Sequence, residues 1–255
     1  MKTTIYTIAL LVLIYGCNEA ASNSEITHRE DSLQYYPPTP RQLYKQEFRQ
    51  YRRVLTSFFF SLLVKRGFNG SILVAKDGAI VHEKYAGFAD LRTKDPLTSS
   101  TPLHMASTGK TFTAMALLRL VQENKLSLND SMHKFFPGFP YSGITVQMLL
   151  SNRSGLPNYL YFMEAEKKNK EYINNNDVLN FLVTKKPNLS YSSGKRFNYC
   201  NTNFVLIALI IEKVSGKTFP AFMQEQVFDP LQMKNTFVFT LADTARATPT
   251  FKATG

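Results

Sequence analysis

The chain is poor in cysteine. Its two, Cys17 and Cys200, cannot build a disulfide framework, so stability has to come from a packed core. Glycine and proline are also modest, 12 of each, which excludes collagen-like and low-complexity classes, and no repeat of solenoid period is present. Acidic residues are few: 19 stand against 30 lysines and arginines, for a formal charge of +11. Such an excess can serve nucleic acid or an anionic surface. The basic residues, however, fall in scattered pairs (Arg52-Arg53, Lys65-Arg66, Lys185-Lys186, Lys195-Arg196) and never in a long run. That pattern reads as a solvated basic surface, so no nucleic-acid partner is expected. The histidines at 28, 82, 104 and 133 lack metal-ligand spacing, and neither metal nor other cofactor is expected. Core material is plentiful. Of 255 residues 44% are hydrophobic and only 19% charged, too apolar for a disordered chain and enough for one large domain or two small ones.

Residues 1–16 read as a targeting segment outside the fold: Lys2 supplies the basic start, and Ile5 to Tyr15 forms an apolar stretch. That stretch is too short to span a bilayer, which takes about 20 apolar residues. Leu13-Ile14-Tyr15-Gly16-Cys17 resembles a bacterial lipoprotein signal, which makes Cys17 the expected lipidation site and the chain an exported, membrane-anchored protein. An ordinary secretory signal cut near Ala20, Ala21 and Ser22 is the alternative. Residues 17–42, with Pro37, Pro38 and Pro40 and no apolar periodicity, read as a tether. Residues 43–255 are the expected folded domain.

Within that domain Leu43 to Lys65 has helical spacing and stops before Gly67. Asp77-Gly78 between Ser71–Lys76 and Ala79–Lys84 predicts a hairpin. The run Ile72-Leu73-Val74-Ala75 predicts a strand covered on both faces. Ser107 to Gln122 and Thr202 to Val214 are apolar almost all round and read as buried helices. Ile144 to Leu150 reads as a shorter helix, and Glu164 to Tyr172 as a charged, exposed segment. Helix, hairpin, then several helices imply a layered α/β or α+β fold.

Two short patterns can carry chemistry. In Ser107-Thr108-Gly109-Lys110 the serine and lysine share a helix face, so hydroxyl and amine can meet. A serine needs a base to act as a nucleophile, apolar neighbours make a lysine a better base, and a helix start favours a developing oxyanion. Gly109-Lys110-Thr111 also resembles the end of a phosphate-binding loop, but that motif needs a glycine where His104 stands. The second pattern is Tyr199-Cys200-Asn201: a tyrosine near a lysine can shuttle a proton, and an asparagine amide can hold a substrate carbonyl. Each pattern alone is common.

Together, and with Phe68-Asn69-Gly70-Ser71-Ile72-Leu73-Val74-Ala75-Lys76-Asp77-Gly78, Met148-Leu149-Leu150-Ser151-Asn152-Arg153-Ser154-Gly155-Leu156-Pro157 and Asp229-Pro230-Leu231-Gln232-Met233, they carry a resemblance. The chain resembles the serine β-lactamase and penicillin-binding protein-like hydrolases, nearest to the class C β-lactamase-related branch with its esterases and D-amino-acid peptidases. The resemblance implies an antiparallel sheet flanked by helices and an acyl-enzyme mechanism on amide or ester bonds of small-molecule or peptide substrates. It implies Ser107 as nucleophile, Lys110 as base partner, Tyr199 as proton shuttle and Asn201 as substrate binder. Asn152-Arg153 replaces the family's usual His-Thr, Ser193 a usual proline, and Gln232 a usual glycine. The family's third motif, His-x-Gly or Lys-Thr-Gly on a late strand, is matched only by the wording of Lys252-Ala253-Thr254-Gly255. The expectation is therefore a domain whose C-terminal sheet strands are missing, apart from a short segment at Thr236–Thr240. Such a chain would be weakly stable and nearly inactive, a truncated relative or binding module being the alternative reading.

Overall fold

The computed structural model describes residues 44–166, 172–245 and 247–248. The targeting segment, Cys17, the tether and Lys252–Gly255 lie outside the described residues, as does most of the charged segment before Tyr172. Among the described residues no helix is long and apolar enough to cross a membrane.

Helix α1 (Lys45–Phe58) runs on through a wider turn, Phe59–Leu63, and a tight one, Val64–Arg66, to Gly67, whose left-handed backbone at φ 78° stops it. Strands β1 (Gly70–Lys76) and β2 (Ala79–Ala86) pair antiparallel around Asp77-Gly78, with φ of 50° and 81°. Those two left-handed residues match the twist a two-residue hairpin needs. A second, minimal pair joins β3 (Phe88–Asp90) to β4 (Asp95–Pro96). The remaining elements are helical: α2 (Gly109–Gln122), α3 (Met132–Phe135), α4 (Val146–Leu150), α5 (Met163–Glu166), α6 (Asn175–Lys185), α7 (Asn201–Ser215) and α8 (Phe219–Met223).

Helix α7 is the axis of the core. It touches α2, α4, α6 and α8, and Leu206, Ile207, Ile210 and Ile211 have no exposed surface. The sequence Phe204 to Ile211 is apolar on every face, and the structure surrounds it accordingly. Each such side chain contributes about 1.5–3 kcal/mol on burial. Leu117 and Leu120 of α2, Val146 and Leu149 of α4 and Leu182 of α6 complete that core. The short helices start on capping side chains: Thr145 Oγ1 accepts from Met148 N, and Asn174 and Asp177 exchange side-chain acceptors for each other's backbone N–H.

Three expectations fail. Helix α2 is covered on one side only, leaving Met115 and Leu118 at 59% and 44% exposure. Strand β1 is likewise open on one face, with Leu73 at 57% exposure, because α1 covers the hairpin from one side and nothing among the described residues covers the other. Thr236 to Thr240 is irregular chain, not a strand.

Candidate active site

Ser107 sits in a tight helical turn (Ala106–Thr108) that leads directly into α2. The residue before it, Ala106, has a left-handed backbone at φ 44°. A side-chain-bearing residue there costs about 1–2 kcal/mol, so this strain is maintained by the surrounding structure. The turn leaves Ser107 exposed while α2 carries Lys110 back beneath it. Lys110 Nζ donates to Ser107 Oγ at 3.0 Å.

Tyr199 arrives from far along the chain, on the irregular segment before α7, and Tyr199 Oη donates to the same Ser107 Oγ at 2.7 Å. Lys110 Nζ lies 5.3 Å from the centre of the Tyr199 ring and 5.8 Å from that of Phe204, so the ammonium rests against aromatic faces. The hydrogen bond from Lys110, followed by that with Ser107, holds the Tyr199 phenol below its ordinary range, against a smaller opposing effect of desolvation. Tyr199 remains 47% exposed, so the cluster is open to a substrate. Contact between α2 and α7 brings the three groups together.

Asn201 opens α7 and is half-buried; its Nδ2 donates to Asn158 Oδ1 at 3.5 Å. It adjoins the cluster along the chain, whereas Ser107, Lys110 and Tyr199 touch directly. Cys200 is buried, its Sγ donating to Leu156 O at 3.4 Å. His104 is exposed. Among the described residues no group of three His, Cys, Asp or Glu side chains could hold a metal ion.

Sequence reading by itself passed over the polar network beneath Tyr199. Ser154 Oγ donates to Asn203 Oδ1 at 2.6 Å, and Asn203 Nδ2 donates to Asn152 Oδ1 at 3.0 Å. Asn203 is fully buried and Ser154 nearly so. Thr202 Oγ1 donates to Pro157 O and accepts from Tyr159 N, tying the start of α7 to the same loop. Gly155 is needed where it stands: at φ 77° a β-carbon would come within 2.2 Å of Tyr191 O. Its signal in the sequence is the polar run Ser151-Asn152-Arg153-Ser154 inside the family-like segment 148–157, which names the loop without naming its partners.

Comparison with known proteins gives the family and the fold. The family model described as Beta-lactamase matches residues 59–252. Penicillin-binding protein 4* of Bacillus subtilis is 33% identical over 188 residues, 74% of this chain and 42% of that protein. The octameric penicillin-binding protein homologue from Pyrococcus abyssi superposes with a TM-score of 0.64 at 30% identity, over 76% of this chain and 46% of that one. The penicillin binding protein from Bacillus halodurans gives a TM-score of 0.63 at 26% identity, over 76% of this chain and 58% of that one. The chain thus spans less than half the length of the curated relatives it matches. It belongs to the Beta-lactamase family and has the mixed helix-and-strand fold of β-lactamases and penicillin-binding proteins.

Proposed function

We propose that the chain carries the acylation site of a serine hydrolase, of the class C β-lactamase-related branch, that opens amide or ester bonds in small molecules or peptides. β-Lactams and peptidoglycan-derived peptides are the substrate class, in keeping with the penicillin-binding names of its relatives. The observation that supports this best is the convergence of Lys110 Nζ and Tyr199 Oη on one exposed Ser107 Oγ. With its pKa lowered, Tyr199 can lose its proton, and the hydrogen bond to Ser107 then reverses. The phenolate, held by the Lys110 ammonium, takes the serine proton as Oγ attacks the carbonyl carbon. Oxyanion charge develops beside the positive start of α2, which favours it. Collapse expels the amine or alcohol, which takes the proton back from Tyr199, and leaves an ester on Ser107. Water, deprotonated along the same path, releases the acid. Asn201 is the proposed contact for the substrate's amide.

Labelling with a fluorophosphonate or a fluorescent penicillin, followed by peptide mass spectrometry, tests the assignment. Modification is expected at Ser107 and lost in Ser107→Ala. A label that survives that substitution overturns the assignment, and a folded chain that neither probe labels supports a non-catalytic binding module. In Tyr199→Phe the rate of labelling should fall by about 10²–10⁴.

The reading also places the protein outside the cytoplasm, where peptidoglycan is met, anchored through acylated Cys17. Each buried acyl CH₂ adds about 0.8 kcal/mol to membrane affinity, so a multiply acylated terminus anchors stably. Cys17→Ser should move the protein from membrane to soluble fractions; unchanged partition and processing would refute the anchor.

A further inference from the structure

Tyr199 poses a positioning problem. It is 47% exposed, lies on irregular chain between α6 and α7, and still has to hold its oxygen 2.7 Å from Ser107 Oγ. Packing does not immobilise such a side chain, so its backbone has to be fixed from elsewhere. The two residues that flank it are both bonded to one partner: Asn198 N donates to Asn152 O at 2.8 Å, and Cys200 N donates to Asn152 Oδ1 at 3.1 Å.

Asn152 is suited to this. Its backbone is left-handed at φ 52°, a conformation asparagine tolerates better than most side-chain-bearing residues. That turn lets its carbonyl and its side chain face the same strand of chain. Asn152 N is anchored on Leu149 O at 3.1 Å, at the end of α4, so the turn is rooted in the helical core. Its Oδ1 also accepts from Asn203 Nδ2, and Asn203 Oδ1 is occupied by Ser154 Oγ, which fixes the amide orientation. Asn152 is 8% exposed, and the Cys200 that it holds 1%.

We propose that Asn152 is a positioning residue for the acylation site, clamping the backbone on both sides of Tyr199 so that its oxygen meets Ser107 and Lys110. This rests on the catalytic reading above, and it gives the asparagine found in place of the family's usual histidine a defined task. The clamp acts through Tyr199 and does not touch the substrate.

The test reads Tyr199 directly. In the full chain labelled with ¹³C at tyrosine Cζ, Tyr199 is assigned by its loss in Tyr199→Phe and titrated. The native protein should titrate below the ordinary tyrosine value. Asn152→Gly keeps the left-handed turn and the backbone acceptor but deletes Oδ1. It should shift the Tyr199 titration up toward ordinary tyrosine and slow labelling of Ser107 by about 10–100-fold, with little change in apparent probe affinity. Leu182→Val, a core change on α6 that removes none of these hydrogen bonds, should lower the unfolding temperature without moving Tyr199. Should Asn152→Gly fail to fold, Asn152→Ser, whose shorter side chain reaches Cys200 N less well, decides in its place by a smaller shift of the same sign. An unmoved titration in the folded variant, or an equal shift in Leu182→Val, overturns the clamp. Absence of labelling in the native protein would refute the catalytic reading instead, and the titration would still decide the clamp.

Discussion

The helical body from α2 to α8 and the α1–hairpin unit before it are built from equally apolar sequence and end in different states. In the body, Leu206, Ile207, Ile210, Leu117 and Leu149 are all fully enclosed around α7. In the hairpin unit Phe59, Val81 and His82 are buried, while Leu73, Ile80 and Val54 are each more than half exposed. The difference lies in the covering layers: among the described residues α2, α4, α6 and α8 pack around α7, whereas β2 has β1 beside it and α1 on one face. Ser107, in the turn that leads into α2, meets Lys110 of α2 and Tyr199 just before α7 through hydrogen bonds that involve no hairpin residue. Burial on the hairpin side decides stability and solubility more than the assembly of this cluster.

The comparison breaks first at α7. Leu206→Ala should cost about 2–5 kcal/mol, because it leaves a cavity in the packed core around α7 that the surroundings fill only in part. Denaturant unfolding measures it, and a loss below about 1 kcal/mol would mean that the body is as loosely packed as the hairpin unit.

A smaller effect is expected where the hairpin unit does bury something. His82 stacks edge-on against Phe59 at 5.9 Å, and its Nε2 has no hydrogen-bond partner among the described residues. Burial, then the charges of Lys84 and Arg52, hold its pKa below 6.5. The unfolded chain therefore binds a proton more readily than the native one. The stability of the neutral form is present above about pH 6.5 and falls progressively as pH drops below that value. The unfolding temperature should decline over that window, and His82→Leu should flatten the decline; an unchanged slope would show that His82 is not the group responsible.

The smallest effect is expected on the open face of the hairpin. Leu73→Thr should stay within about 0.5 kcal/mol in the unfolding free energy, since little contact is lost. Its benefit should appear as slower aggregation, because an exposed apolar strand invites pairing with other chains. A large destabilisation would mean that Leu73 is covered in solution.

Parts of the molecule that depend on near neighbours in sequence were legible from the chain. Gly67 and Gly216 stop their helices, Asp77-Gly78 turns the hairpin, and the three-residue spacing of Ser107 and Lys110 puts hydroxyl and amine on one face. These are fixed by backbone sterics and helical pitch, which operate over a few residues. Hydrophobicity also foretold that α7 would be buried, because a helix apolar on every face has no solvent-tolerant side. It misjudged α2 and β1, since apolar character states a preference for cover without supplying a layer to provide it. The pairing of Tyr199 with Ser107 was expected only through family resemblance; nothing in the intervening residues encodes it locally. Contact of α2 with α7 decided it, along with the left-handed backbones of Ala106 and Asn152 and the buried bonds among Asn152, Ser154 and Asn203. Those are long-range hydrogen bonds between short polar side chains that pattern cannot distinguish from solvent-facing ones. Only packing removes the water that would otherwise satisfy them and makes each one choose a partner.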